Sequence, residues 1–127
     1  MATPQALVID DSRAMRLILG DLLNQLGYET HEAGDGQQAI SLLEEDQTIP
    51  TLALVDWNMP VMNGLDFIKA VREKTCYTDM KLLVVTSEAE VGHMVEALTA
   101  GADEYLMKPF SSEALASKLE MLGLRHA

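Results

Sequence analysis

Five polar side chains of this sequence each follow a short apolar stretch directly. Asp10 and Asp11 follow the first stretch, Asp56 the second, Thr86 the third and Lys108 a short fourth segment. Carboxylate oxygens are ligands that Mg²⁺ prefers, whereas an amine and a hydroxyl suit the negative oxygens of a phosphoryl group. A carboxylate can also act as the nucleophile and form an aspartyl phosphate. If the fold brings them together, these side chains predict a Mg²⁺-dependent phosphoryl-transfer site.

Taken singly, each of these residues also has an ordinary explanation. An aspartate after a strand is usually a turn former or a helix cap, and Asp10, Asp11 and Thr86 could each serve that purpose. A single lysine such as Lys108 is most often a solvated surface charge. The set therefore predicts a site only if the segments before these residues are neighbouring strands.

Strand and helix patterns alternate five times along the chain. The runs 6–9, 52–55 and 82–85 are continuously apolar, as in strands buried on both faces, and segments 28–33 and 104–107 complete five predicted strands. Apolar residues at spacings of three and four predict a helix after each strand. They are Met15, Ile18, Leu19, Leu22 and Leu26; Ala39, Ile40 and Leu43; Leu65, Ile68 and Val71; Val91, Val95 and Leu98; and Leu115, Leu119 and Leu122.

Local signals bound several of these helices. Ser12 is the predicted N-cap of the first helix and Gly27 its stop. Gly101 should close the fourth helix, and Ser111 or Ser112 should cap the fifth.

This alternation predicts an α/β fold, doubly wound, in which a parallel five-stranded sheet lies between two layers of helices. Strands separated by helices pair in parallel through right-handed crossovers, which gives a three-layer sandwich. Sites in such sheets form outside the carboxyl ends of the strands. Because the five polar residues all stand at those ends, we expect them to converge on one edge.

Length and charge exclude several classes of protein. With 127 residues we expect one domain over residues 1–127, and a net charge of −11 argues against direct binding to nucleic acid. Cys76 is the only cysteine, so neither an internal disulfide nor a cysteine zinc site is possible. The sequence has neither a signal-peptide pattern nor an apolar run of membrane-spanning length. We therefore expect a cytoplasmic protein without membrane contact.

Four sequence motifs resemble those of two-component receiver domains, and the likeness is greatest to the single-domain chemotaxis type. The resemblance runs from about Ala6 to Leu122, with the motifs in the family's order. The motifs are Val8-Ile9-Asp10-Asp11-Ser12, Val55-Asp56-Trp57-Asn58-Met59-Pro60, Val84-Val85-Thr86-Ser87 and Tyr105-Leu106-Met107-Lys108-Pro109-Phe110.

The resemblance implies the fold's strand order and the chemistry of the site. It implies the flavodoxin-like (βα)5 order 2-1-3-4-5, which the family itself exemplifies. Asp56 would accept a phosphoryl group from a phosphohistidine on a histidine kinase or phosphotransfer protein. Mg²⁺ would be bound by the side chains of Asp11 and Asp56 and by the backbone carbonyl of Asn58, and Asp10 would act through a metal-bound water.

The resemblance also implies how the domain signals. Lys108 would contact the phosphoryl oxygens. The peptide bond between Lys108 and Pro109 would be cis. Thr86 would hydrogen-bond to the phosphoryl oxygens and Tyr105 would report the switch to a protein target on the face formed by helix four, strand five and helix five. Ser87 is bulkier than the alanine often found at its position, the one local departure from the pattern.

The sequence leaves two alternative hypotheses for the function open. Hydrolases of the haloacid dehalogenase type also use an aspartate nucleophile with Mg²⁺, a threonine and a lysine, but they place a D-x-D pattern after the first strand. A receiver-like scaffold that is never phosphorylated is the second alternative. The preferred interpretation is a response regulator in chemotaxis or another phosphorelay, whose only catalysis is self-phosphorylation and dephosphorylation.

Overall fold

The computed structural model describes residues 3–45 and 49–124, which form five strands and five α-helices. The strands are β1 Gln5–Ile9, β2 Glu29–Ala33, β3 Leu52–Asp56, β4 Lys81–Thr86 and β5 Glu104–Met107. The helices are α1 Arg13–Gln25, α2 Gly36–Glu45, α3 Gly64–Arg72, α4 Met94–Ala100 and α5 Ser112–Met121, with short 3-10 helices at Thr75–Tyr77 and Glu88–His93. No helix in the described ranges is long and apolar enough to cross a membrane.

All five strands lie in one parallel sheet in the order β2-β1-β3-β4-β5, which confirms the predicted topology. The chain turns outward from β1 to β2 and then returns to pair β3 with the other side of β1. This reversal is the topological switch point of the sheet, the position at which such folds form their sites. It makes the carboxyl ends of β1 and β3 direct neighbours.

The core lies on both faces of the sheet, as expected for a three-layer sandwich. Alternate residues of β3 show this, since Ala53 and Val55 pack in one cluster and Leu52 and Leu54 in the other. The first cluster includes residues of α2, α3 and α4, and the second includes residues of α1 and α5. All five β3 residues are buried, which explains their continuous apolar run up to Asp56.

All four predicted helix ends are confirmed, including Gly101, which is the C-cap of α4 with a φ of 126°. The Ser12 side chain accepts a hydrogen bond from the Met15 amide at the start of α1, and Ser111 does the same for Ala114 at the start of α5. Gly27, with a positive φ of 96°, follows the C-cap of α1. These helix ends are determined by residues next to them in the chain, so the sequence could predict them.

The predicted buried faces of α1 and α4 were partly wrong. Ile18 is 52% exposed, because Leu19 and Leu23 carry the face of α1 that packs on the sheet. In α4 the predicted Val95 and Leu98 are 76% and 43% exposed, and Met94 and Ala97 are buried instead. Met94 and Ala97 have the same spacing of three as Val95 and Leu98, so the spacing alone did not distinguish the two faces of α4. The side chain of Val91 lies outside the described part of the chain.

Candidate functional site

The sheet topology brings the three predicted carboxylates together. Asp10 follows β1 directly and Asp56 ends β3, so both stand at the switch point. One carboxylate oxygen from each of Asp10, Asp11 and Asp56 lies within 4.8 Å of the others. Asp10 and Asp56 are buried and Asp11 is exposed, so the cluster opens to solvent on one side.

Lys108 reaches the same cluster from β5. Its Nζ lies 3.4 Å from Oδ1 of Asp56 and 3.8 Å from Oδ2 of Asp10. The Lys108 backbone amide donates to the Thr86 carbonyl at 2.7 Å, which fixes the start of the loop beside β4. The peptide bond between Lys108 and Pro109 is cis, as the family resemblance implied. The amine of Lys108, which follows the edge strand β5, therefore lies beside the carboxylates that follow β1 and β3.

Asp10 is held rigidly but only half of its carboxylate is bonded. Oδ1 accepts the Ser12 amide at 2.8 Å, and the Asp10 carbonyl accepts Nη1 of Arg16 at 2.6 Å. Oδ2 is buried and has no hydrogen-bond partner among the described residues. A buried carboxylate oxygen without a donor is costly and signals a missing cationic or donor partner.

Burial and mutual repulsion raise the pKa values of the two buried carboxyl groups. Desolvation is the main cause for Asp56, followed by the charge of Asp10, and together they raise its pKa to about 6 although Lys108 opposes the shift. Desolvation also raises the pKa of Asp10, against the Ser12 amide and the charge of Lys108. One lysine therefore does not neutralise the three carboxylates, and a further positive charge would stabilise their ionised forms.

The residues present fit a hard divalent cation. Each of the three carboxylates places an oxygen near the other two, Oδ2 of Asp10 accepts no hydrogen bond among the described residues, and Asp11 stays exposed to solvent. Mg²⁺ prefers oxygen ligands and keeps several waters, so an open cluster of this kind suits it.

The loop after β3 is folded tightly against the phosphoacceptor candidate. A Cβ on Gly64 would lie 2.6 Å from the Asp56 carbonyl oxygen, so only glycine allows this approach. The Gly64 amide donates to the Trp57 carbonyl at 3.0 Å and closes the loop. The loop therefore holds Asn58, whose backbone carbonyl is the expected metal ligand, near the end of β3.

Thr86 and Tyr105, the two residues expected to form the switch, make no side-chain hydrogen bond to the three carboxylates among the described residues. Thr86 is buried, and its hydroxyl donates to the Ser87 carbonyl at 3.3 Å. Tyr105 is half-buried on β5, and Nζ of Lys118 lies 4.6 Å from its ring centroid. Lys118 in turn donates to Glu104 at 3.1 Å, so an ion pair holds the cation over the ring.

Sequence reasoning missed two contacts at the rim of the site. The Glu90 carboxylate accepts hydrogen bonds from Ser87 and from the side-chain amide of Asn58. The ring of His93 stacks on Trp57, with centroids 5.6 Å apart. The contacts of Glu90 with Asn58 and of His93 with Trp57 join residues more than 30 positions apart, and no local pattern indicates them. The contact of Glu90 with Ser87 has the S-x-x-E spacing of a capping box, which the sequence could have indicated.

Comparison with known proteins agrees with this geometry. The family model described as the response regulator receiver domain matches residues 6–120. A chemotaxis protein CheY homolog of Campylobacter jejuni is 42% identical over 115 residues, which cover 90% of this chain and 88% of that protein. Chemotaxis protein CheY1 of Helicobacter pylori is 39% identical over 117 residues, covering 91% and 94%. The solved structure of Vibrio cholerae chemotaxis protein CheY4 superimposes with a TM-score of 0.86 at 33% identity, covering 95% of this chain and 99% of that one.

Proposed function

Because this chain belongs to the response regulator receiver family of two-component signalling, we propose that it is a regulator switched by phosphorylation of Asp56. The observation that carries the proposal is the surroundings of this carboxylate. Asp56 is buried at the switch point, with Nζ of Lys108 at 3.4 Å and two further carboxylates beside it. A nucleophile that must accept a dianionic group needs positive charge close to it, which Lys108 supplies directly and which a cation bound by the carboxylates would add.

The proposed reaction is an in-line transfer from a phosphohistidine on a partner kinase or phosphotransfer protein. A carboxylate oxygen of Asp56 forms a bond to phosphorus as the phosphorus–nitrogen bond of the donor breaks. The bonding pair returns to the imidazole nitrogen, so the donor leaves as neutral histidine once it is protonated. Lys108 stabilises the charge on the transferred oxygens, as a positioned amine does in other phosphoryl transfers.

Asp10, Asp11 and Asp56, with the backbone carbonyl of Asn58, are the residues that would hold Mg²⁺, with Asp10 acting through water. When bound, the ion supplies positive charge that offsets the carboxylates and the phosphoryl oxygens. The free Oδ2 of Asp10 and the raised pKa of Asp56 support this assignment, since both reflect the same lack of positive charge.

The direct test is incubation of the protein with acetyl phosphate, followed by intact-mass measurement. We expect one phosphoryl group per chain in the presence of Mg²⁺ and none after chelation, because without the cation the carboxylates repel the donor. Incorporation that is unaffected by chelation would contradict the proposed metal requirement. A chain that takes up no phosphate under either condition would contradict the proposed function itself.

Thr86→Ala should uncouple phosphorylation from the switch while leaving the acceptor intact. The phosphoryl group adds charge and acceptor oxygens, to which the buried Thr86 hydroxyl can donate once it leaves the Ser87 carbonyl. We propose that this inward movement opens space for the ring of Tyr105 on the adjacent strand β5. The measurement is the amide chemical-shift change on adding beryllofluoride with Mg²⁺, which should be lost around Tyr105 and α4 in the variant.

Thr86→Ser is the matched control, because it keeps the hydroxyl and removes only a methyl group. It should retain most of the shift changes around Tyr105. The coupling through Thr86 is wrong if the alanine variant shows the same changes as the unmodified protein.

The proposed output is a protein–protein contact on the face formed by α4, β5 and α5. On these elements Val95 is 76% exposed, Leu98 43% and Met107 38%. Exposed apolar residues that cluster on one face are typical of interaction sites. A partner that binds the phosphorylated form more tightly would favour phosphorylation by the same free energy.

A further inference from the structure

Glu90 gathers three hydrogen-bond donors from two different loops. Its Oε1 accepts the Ser87 amide at 3.2 Å and the Ser87 hydroxyl at 3.0 Å. Its Oε2 accepts the side-chain amide of Asn58. A single carboxylate thus connects the loop after β3 with the segment after β4.

The position of this connection relates it to the phosphoacceptor. Asp56 is paired with Val85 across β3 and β4. Asn58 is two residues beyond Asp56, and Ser87 is two residues beyond Val85. Glu90 therefore joins corresponding positions in the two segments that follow β3 and β4, just beyond the acceptor residue.

A second contact fastens the same two segments. Trp57 is buried beside Asp56, and the ring of His93 stacks on it at an interplanar angle of 19°. Glu90 and His93 both belong to the 3-10 helix Glu88–His93. This short helix is thus attached at two places to the loop that follows the acceptor.

We infer that Glu90 is a positioning residue that acts as an anionic latch: it closes the rim of the site in the unphosphorylated protein and opposes phosphorylation. The inference rests on the proposed function of Asp56. The carboxylate of Glu90 occupies donors of Ser87 and Asn58 at the rim that a phosphoryl group would enter.

The physical basis is competition between two anions. A phosphoryl group brings nearly two negative charges and strong acceptor oxygens to Asp56. The Glu90 carboxylate repels that charge and holds neighbouring amide and hydroxyl donors that the phosphoryl oxygens would otherwise attract. Phosphorylation should therefore loosen the latch, and loosening the latch should favour phosphorylation by the same free energy.

Two substitutions separate the charge of the latch from its hydrogen bonds. Glu90→Gln removes the negative charge and keeps an oxygen that accepts from Ser87, and it retains the contact with Asn58 if the Asn58 amide turns its oxygen toward the new NH2 group. Glu90→Ala removes both the charge and the hydrogen bonds. Glu96→Gln is the matched control. Glu96 is exposed on α4, six residues after Glu90, and the substitution removes the same charge.

The first measurement is the rate of phosphate incorporation from acetyl phosphate with Mg²⁺. We expect Glu90→Gln and Glu90→Ala to be labelled about fivefold faster than the unmodified protein, as expected for removing one partly screened like charge. Glu96→Gln should be labelled at the unmodified rate. The latch is wrong if the Glu90 variants are labelled at the rate of the unmodified protein or more slowly while that protein is labelled normally.

The second measurement does not depend on phosphorylation. Exchange of the Ser87 amide hydrogen should be about tenfold faster in Glu90→Ala than in the unmodified protein, because its acceptor is lost and the segment opens more often. It should change little in Glu96→Gln. Unchanged exchange in Glu90→Ala would overturn the latch whatever the labelling shows, and absence of any labelling would instead count against the proposed role of Asp56.

Discussion

Asp56→Ala should take up no phosphate from acetyl phosphate, so that its intact mass stays unchanged under conditions that label the unmodified protein. The substitution removes the only carboxylate that stands at the end of β3, with Lys108 at 3.4 Å. We do not expect Asp10 to replace it, because Oδ1 of Asp10 is bonded to the Ser12 amide and its side chain is almost fully buried. The expected effect is complete loss of incorporation, the largest change that any single substitution should cause.

Asp79→Ala is the control for this experiment. Asp79 is exposed in the turn before β4 and should be dispensable, so the variant should be labelled like the unmodified protein. A phosphate adduct that persists in Asp56→Ala would exclude Asp56 as the acceptor and would leave the carboxylate cluster without its proposed role.

Asp56→Asn should make the metal-free protein more stable by about 2 to 3 kcal/mol at neutral pH. The reason is the pKa of Asp56, which burial and the charge of Asp10 raise from 3.8 to about 6. Holding this carboxyl group ionised in the folded protein costs about 1.4 kcal/mol for each unit of that shift. Asparagine keeps the shape and removes the charge. Urea unfolding in the presence of chelator measures the difference.

The gain should depend on pH in a defined direction. Because the pKa is higher in the folded state than in the unfolded state, the folded protein binds the proton more tightly at intermediate pH. The loss of stability caused by ionised Asp56 is therefore absent below about pH 4, grows between about pH 4 and pH 6, and is constant above that range. The advantage of Asp56→Asn should be small at pH 4 and complete near pH 7.5.

Mg²⁺ provides an independent check on the same charge. A ligand that binds only the folded state stabilises it by RT ln(1 + c/Kd), where c is the ligand concentration, so the stabilisation grows with the logarithm of that concentration. Millimolar Mg²⁺ should therefore stabilise the unmodified protein and have less effect on Asp56→Asn. Asp79→Asn should behave like the unmodified protein throughout. An Asp56→Asn variant that is less stable than the unmodified protein at pH 7.5 without metal would show that the buried charge is not a cost.

The sequence by itself determined the architecture and most of the candidate site. Continuous apolar runs such as 52–55 identify strands buried on both faces, and the alternation with helices requires a parallel sheet. The strand order itself was implied by the resemblance to receiver domains, and it places Asp10, Asp56 and Lys108 at one edge. The strands, the helices and the polar residue at each strand end depend on properties that each segment carries locally, namely apolar pattern and capping residues.

Only the tertiary structure decided which helix faces are buried and how the rim of the site is closed. Val95 and Leu98 had the spacing of a buried face, yet both are exposed, and Met94 and Ala97, which have the same spacing, are buried instead. The contact of Glu90 with Asn58 spans 32 residues and depends on the pairing of β3 with β4 and on the path of both loops. The pKa of Asp56 likewise depends on how deeply its neighbours bury it. Such features arise from packing between distant segments, and no local pattern encodes them.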